Sequence, residues 1–141
     1  MKRAPTNMSK NKSKNKSKNN VDIAELNIPN LCFSFIGTNK TDERYKLFSK
    51  QRKVRGFDDS ETWAFDYVLA KFIVPRLERY IEITKNKIKF DDKQKSALDN
   101  MLVAFKLAIK DGDGDILTDK EYKKIEKGLK AFSKYYRMLW W

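Results

Sequence analysis

The chain has 141 residues, 40% hydrophobic and 35% charged, with a formal net charge of +12, which predicts one domain with a modest core. It lacks histidine, the commonest general base and transition-metal ligand, and its single cysteine, Cys32, excludes an internal disulfide. No apolar run approaches the roughly 20 residues of a membrane span, and no apolar stretch follows the basic N-terminus as a secretory signal requires.

Residues 1–20 are a low-complexity segment in which lysine, asparagine and serine repeat (SKNKSKNKSKNN). They contain seven lysines and arginines and no acid. No apolar residue after Met8 can offset the entropy cost of ordering the backbone, so we predict a disordered basic arm. Its candidate phosphate contacts are Lys10, Lys12, Lys14, Lys16 and Lys18. The alternative interpretation is a solubilising tail without a partner.

Residues 21–54 form a leading segment that we expect to be partly ordered. A brief apolar pattern stops at Pro29, and a second apolar run ends at Gly37; this run is expected to pack across helices rather than begin a sheet. From Thr41, as N-cap, to about Lys53, a short helix is predicted. Its end carries four bases that are either candidate nucleic-acid contacts or a solvated charge run: Lys50, Arg52, Lys53 and Arg55.

Residues 55–141 are predicted to form the helical domain, organised around residues 56–83. Asp58 and Glu61 have the spacing of a capping box. The predicted apolar face consists of Trp63, Tyr67, Ala70, Val74, Leu77 and Ile81. Pro75 predicts either a kink or a break and restart. Asp66 lies near the apolar face and is expected to be partly buried, with Arg55 or Arg76 as its partner.

Two further amphipathic helices follow. The first begins at Asp91 or Asp92, and its apolar positions are Leu98, Met101, Leu102, Phe105, Ala108 and Ile109. The second begins at Thr118, which forms a capping box with Glu121, and continues to the chain end through Tyr122, Ile125, Leu129, Phe132, Tyr136 and Leu139. Gly128 inside it predicts a close helix approach. The fold class is therefore all-α: a small three-helix bundle with a disordered basic N-terminal arm.

Between these two helices lies the aspartate turn, residues 111–115 (DGDGD). Alternating aspartates between helices resemble an EF-hand loop, but Ile116 stands where its glycine is required and Tyr122 where its bidentate glutamate belongs. Two interpretations remain open. One is an ordinary inter-helix turn. The other is a weak calcium or magnesium site with Asp111, Asp113, Asp115 and Asp119 as ligands; no other cofactor is expected.

The chain ends on an aromatic segment, YYRMLWW. A chain end usually frays, so terminal aromatic residues must dock on something to be retained. We expect Trp140 and Trp141 to close the core against Trp63 and Phe65. The alternative is that they are exposed, either for a protein partner or for stacking nucleobases.

The sequence GFDDSETWAFDYVLAKFIVPRLERY, followed by a second amphipathic helix and by KKIEKGLKAFSKYYRMLWW, resembles a family of small proteins of tailed bacteriophages. That family shares a G-F-x-D-x-x-x-W-x-x-D opening, an I-x-P-R-L block and an E-G-L-x-x-F closing helix. The resemblance covers roughly residues 55–141. It implies a phage origin, but no biochemical activity and no functional residue can be transferred from the family.

With no nucleophile–base pair, phosphate-cradling glycine loop or complete metal set, the sequence favours binding over catalysis. The leading hypothesis is a non-enzymatic, phage-encoded accessory protein of the host cytoplasm that binds nucleic acid or a nucleoprotein assembly through its basic arm. The main alternative is a virion-associated or host-directed protein–protein adaptor that uses Trp140 and Trp141. A third is a weak divalent-metal-binding module.

Overall fold

The computed structural model describes residues 32–140, and this part of the chain is all-helical. Its four α-helices are α1 (Tyr45–Arg55), α2 (Phe65–Thr84), α3 (Asp92–Gly112) and α4 (Asp119–Tyr135). Short 3-10 turns precede α2 (Asp59–Thr62) and follow α4 (Tyr136–Met138). The all-α prediction is confirmed, whereas the three-helix count is too low by one. Residues 1–31, with the basic arm, lie outside the described residues.

The additional helix is α1, which the sequence placed in the leading segment. Its one buried residue is Phe48, so it lacks the broad apolar face by which α2, α3 and α4 are recognised. It begins at Tyr45 after Arg44, so the prediction that Thr41 is its N-cap is wrong. The reason is local: Asp42 accepts hydrogen bonds from the amide and guanidinium of Arg44 and thereby closes a turn before the helix starts.

The core lies between α2, α3 and α4, with α3 in the middle. Its buried members are Ala70, Leu77, Ala97, Leu98, Met101 and Phe105. The predicted apolar face of α3 is confirmed, since Leu102, Ala108 and Ile109 pack against this cluster. The predicted capping box between Thr118 and Glu121 is present, and α3 begins with a second one, between Asp91 and Gln94. None of the helices in this part of the chain combines the length and apolar character that crossing a bilayer requires.

A proline and a glycine shape the helices of the core. Pro75 lies inside α2, which continues unbroken to Thr84, so the alternative of a break and restart is wrong. Gly128 is buried against α3: an ideal Cβ there would be 2.2 Å from both the Ala104 Cβ and the Asn100 carbonyl oxygen. The predicted close approach is therefore confirmed.

The predicted role of the tryptophans is wrong. Trp63 is 59% exposed and Phe65 64% exposed. The core positions that α2 contributes beside α3 are occupied by Ala70 and Leu77 instead. Trp63 instead makes an edge contact with Phe48 of α1, with ring centroids 6.1 Å apart. Trp140 is 75% exposed, and Trp141 lies outside the described residues.

The apolar face of α4 is only partly covered. Phe132 packs edge-on against Phe105, with centroids 5.3 Å apart, and Leu139 also contacts the core. Three other predicted core positions are substantially exposed: Tyr122, Leu129 and Tyr136. The α-helix ends at Tyr135 and tightens into the 3-10 turn, so it does not continue to the chain end.

Candidate nucleic-acid interface

The basic residues at the end of α1 are divided between structural and exposed roles. Arg52 pairs with Asp58, and its side chain is only 13% exposed. Arg55 pairs with Asp59, and its guanidinium lies 4.7 Å from the centroid of the Phe57 ring. Lys50 and Lys53 are both exposed, and neither makes an ion pair within residues 32–140. Of the four bases, only Lys50 and Lys53 are thus without an ion pair in this part of the chain, and nucleic-acid contact by the four stays a prediction.

Arg52 belongs to a buried acid network with Asp58 and Glu61, which are 0% and 5% exposed. The predicted capping box between these two acids is wrong. Asp58 accepts from the amide of Ser60 and caps the 3-10 turn, not α2. Glu61 Oε1 accepts from the backbone amides of residues 33 and 34 at 2.8 and 2.6 Å. Glu61 therefore fastens the leading segment to the helices.

This network has the electrostatics of a structural clasp rather than of a catalytic site. Burial opposes ionisation of Asp58, but hydrogen bonds from Ser60 and Arg52 outweigh it and lower the pKa of the carboxyl. The thiol of Cys32 lies 3.5 Å from Asp58 Oδ2 and from Glu61 Oε1. Burial raises the pKa of this thiol, so it stays protonated and is a poor nucleophile.

The acid that was expected to be partly buried, Asp66, is exposed. Its two predicted partners bind elsewhere, since Arg55 pairs with Asp59 and Arg76 donates to the carbonyl of Phe72. The buried carboxylates are instead Glu61 and Asp58, which precede Asp66 in the chain. Asp66 lies in the first turn of α2, where its charge complements the helix dipole without burial.

Two aspartates of the aspartate turn accept hydrogen bonds from tyrosine side chains of neighbouring helices. Tyr67 of α2 donates its hydroxyl to Asp113 Oδ1 at 2.5 Å, and Tyr122 of α4 donates to Asp111 Oδ1 at 3.0 Å. Gly114 has a φ of +94°, as a tight turn requires. Over residues 32–140, no three cysteine or acidic side chains gather in a way that could hold a metal ion. Weak binding of calcium or magnesium stays a prediction.

The sequence analysis missed a lysine stripe on α4. Its members recur at spacings of three and four, so they lie along one face, and all are exposed: Lys120, Lys123, Lys127, Lys130 and Lys134. At 1.5 Å per residue the stripe is about 21 Å long. The same spacing test that located the apolar faces would have found it, had it been applied to the basic residues.

Three stripe residues face the beginning of α3 across a shallow groove of about 450 Å³, the lysine groove. Lys127, Lys130 and Lys134 line one side, and Lys93 lines the other. None of these four takes part in the ion pairs formed among residues 32–140. The one acid lining the groove, Asp92, lies 3.7 Å from Lys95. The groove is therefore a concentrated, uncompensated positive surface.

Comparison with known proteins assigns no family: no family model matches the chain, and neither a curated protein nor a solved structure matches it. The resemblance to a family of phage proteins therefore stays a prediction.

Proposed function

We propose that this protein is a non-enzymatic accessory protein that binds nucleic acid, with the lysine stripe and the basic arm contacting phosphates. The observation that carries the proposal is the alignment of five exposed lysines on one face of α4 beside Lys93. A phage origin and action in the host cytoplasm are the parts that the family resemblance contributes.

The charge distribution supports a polyanionic ligand. Residues 32–140 contain 24 lysines and arginines against 17 acids. Seven ion pairs neutralise bases elsewhere in this part of the chain, but the stripe lysines enter none of them. Like charges held together repel one another, and this repulsion is relieved when phosphates bind and counterions leave the nucleic acid.

The residue types also favour non-specific binding. Lysine is a point charge on a flexible stem, suited to phosphate oxygens, whereas arginine presents a planar fork that can read base edges. The two arginines in the basic cluster at the end of α1, Arg52 and Arg55, are held by Asp58 and Asp59. Contacts from lysine to phosphate position a protein on nucleic acid without reading its sequence.

The test replaces three stripe lysines in the full-length protein (Lys127→Gln, Lys130→Gln and Lys134→Gln). Binding to a fluorescent oligonucleotide is measured by anisotropy over a range of salt concentrations. Because each phosphate contact on a single strand contributes about −0.7 to the log–log slope, the triple variant should flatten the slope by about 2.

A matched control removes the same charge outside the stripe (Lys40→Gln, Lys46→Gln and Lys71→Gln) and should leave the slope nearly unchanged. Deletion of residues 1–20, which carry seven bases, tests the arm and should flatten the slope by about 4 to 5 without changing helicity. Equal slopes for the stripe variant and its control would refute the role of the stripe. Undiminished binding by the truncated protein at low salt would refute the role of the arm.

A second candidate function, a protein–protein adaptor, is favoured by one observation: Trp140 is 75% exposed on a chain end whose backbone is held in place. Binding of a protein partner through apolar contacts would persist at high salt, whereas phosphate binding would collapse. The salt series therefore separates the two functions.

A further inference from the structure

We infer that the nucleic acid is single-stranded and that one of its bases stacks on Trp140 beside the first turn of α3. This inference rests on the proposed function and deepens it, because it assigns the class of nucleic acid and a second contact site. Its basis is an exposed tryptophan that lines a cavity beside the lysine groove.

The exposure of Trp140 is built into the structure. The hydroxyl of Tyr80 on α2 donates to the carbonyl oxygen of Met138 at 2.8 Å and approaches that of Trp140 at 3.4 Å. The amide of Leu139 donates to the carbonyl of Tyr136 at 3.2 Å. The backbone is thus tied to α2 while the indole points outward, 75% exposed. A solvent-facing aromatic ring on a backbone that is held in place offers a surface for stacking.

The indole borders a cavity of about 480 Å³ with largely apolar walls from Ile88, Phe90 and Met138. Gln94 and Lys89 supply its polar lining. The side-chain oxygen of Gln94 accepts from the amide of Asp91, but its amide nitrogen makes no hydrogen bond with other residues of the 32–140 region. The cavity therefore combines flat apolar surface, a free hydrogen-bond donor and a positive charge, which match a base and its phosphate.

The lining of the cavity adjoins that of the lysine groove, although the two share no residue. Lys93 lines the groove and Gln94, the next residue, lines the cavity. On the other side, Tyr135 lines the groove and Met138, three residues later, lines the cavity. On this proposal, a strand whose phosphates follow Lys127, Lys130 and Lys134 extends into the neighbouring cavity, which Trp140 lines.

Stacking on Trp140 requires a base whose face is free. In a duplex, base faces are covered by their neighbours except at the ends, so a ring on the outer surface of a protein cannot stack on them without unpairing. The lysine stripe alone would accept either form of nucleic acid. The tryptophan makes the site selective for unpaired bases.

The experiment compares oligo(dT) with a duplex of the same length, over the same series of salt concentrations, using full-length protein and the variants Trp140→Ala and Trp140→Phe. The binding free energy of one stacked base corresponds to a factor of about 5 to 150 in affinity. Trp140→Ala should weaken oligo(dT) binding by that factor, leave duplex binding and the salt slope unchanged, and be partly rescued by phenylalanine. Trp63→Ala is the matched control, because Trp63 is also exposed but contacts Phe48 of α1.

Two results would overturn the inference: unchanged oligo(dT) affinity in Trp140→Ala, or equal affinity of the wild-type protein for duplex and oligo(dT). If either occurs while binding still depends on salt and on the stripe lysines, only the stacking site fails. If neither nucleic acid is bound in a salt-dependent way, the proposed function fails with it.

Discussion

The close approach of α4 to the α3 backbone at Gly128 provides a direct test of the fold. In Gly128→Ala the new methyl group would stand 2.2 Å from the Asn100 carbonyl oxygen and 2.2 Å from the Ala104 Cβ. Ordinary contact begins at 3.4 Å, so α4 would have to move away from α3 by more than 1 Å. The carbonyl is part of the α3 backbone and cannot rotate aside. The edge contact between Phe105 and Phe132 lies across the same pair of helices and would be loosened.

The expected magnitude follows from two opposing terms. Overpacking of a core costs about 1–3 kcal/mol, and the rigid neighbour places Gly128→Ala at the upper end. Alanine recovers about 1 kcal/mol of helix propensity. We therefore expect a net loss of about 2 kcal/mol in the free energy of unfolding, measured by urea denaturation followed by circular dichroism. In a domain of this size such a loss lowers Tm by about 8 °C.

Gly112→Ala is a matched comparison. Its added Cβ would also lie 2.2 Å from a neighbour, but that neighbour is Cδ2 of the Tyr67 side chain, which can turn away. Tyr67 would lose its hydrogen bond to Asp113, a cost of about 1 kcal/mol that the helix propensity of alanine offsets. The reasoning is refuted if Gly128→Ala is as stable as the wild type, or if both variants lose the same stability.

The remaining predictions address the clasp, pH, Trp63 and calcium. Glu61→Ala should speed hydrogen exchange of the amides of residues 33 and 34 at least tenfold, because both lose a charged acceptor; unchanged exchange would contradict this. Hydrogen bonds from Thr118 and Lys110 lower the pKa of Glu121 from 4.5 to about 2. Its stabilising contribution is therefore complete above about pH 4.5 and is lost as the pH falls towards 2, so Glu121→Gln should show a shallower acid-side decline of Tm, and coincident curves would be evidence against it. Trp63→Ala should lower the free energy of unfolding by about 1 kcal/mol, measured by thermal melting, because one exposed edge contact is lost. A loss of about 3–5 kcal/mol, as for a core tryptophan, would show that Trp63 belongs to the core after all. Calcium titrated into the protein by calorimetry should bind with millimolar or weaker affinity; micromolar binding would overturn the assignment of residues 111–115 as a simple turn.

The sequence alone determined the helices that carry their own signals. The capping boxes at Asp91 and Thr118 and the apolar face of α3 depend on residues three or four positions apart, which meet as soon as a helix forms. The need for glycine at position 128 was also readable, because a glycine inside a helix is costly unless space requires it.

The tertiary structure decided where the charges and aromatic rings lie, because their partners are distant in the sequence. Glu61 has the spacing of a local cap, yet it binds amides 27 and 28 residues earlier, which no local pattern indicates. Trp63 and Trp140 are apolar enough for a core, but burial depends on which faces α3 leaves vacant, and other side chains occupy them. The lysine stripe is periodic in the sequence, whereas its position opposite Lys93 across the lysine groove exists only because α4 packs on α3.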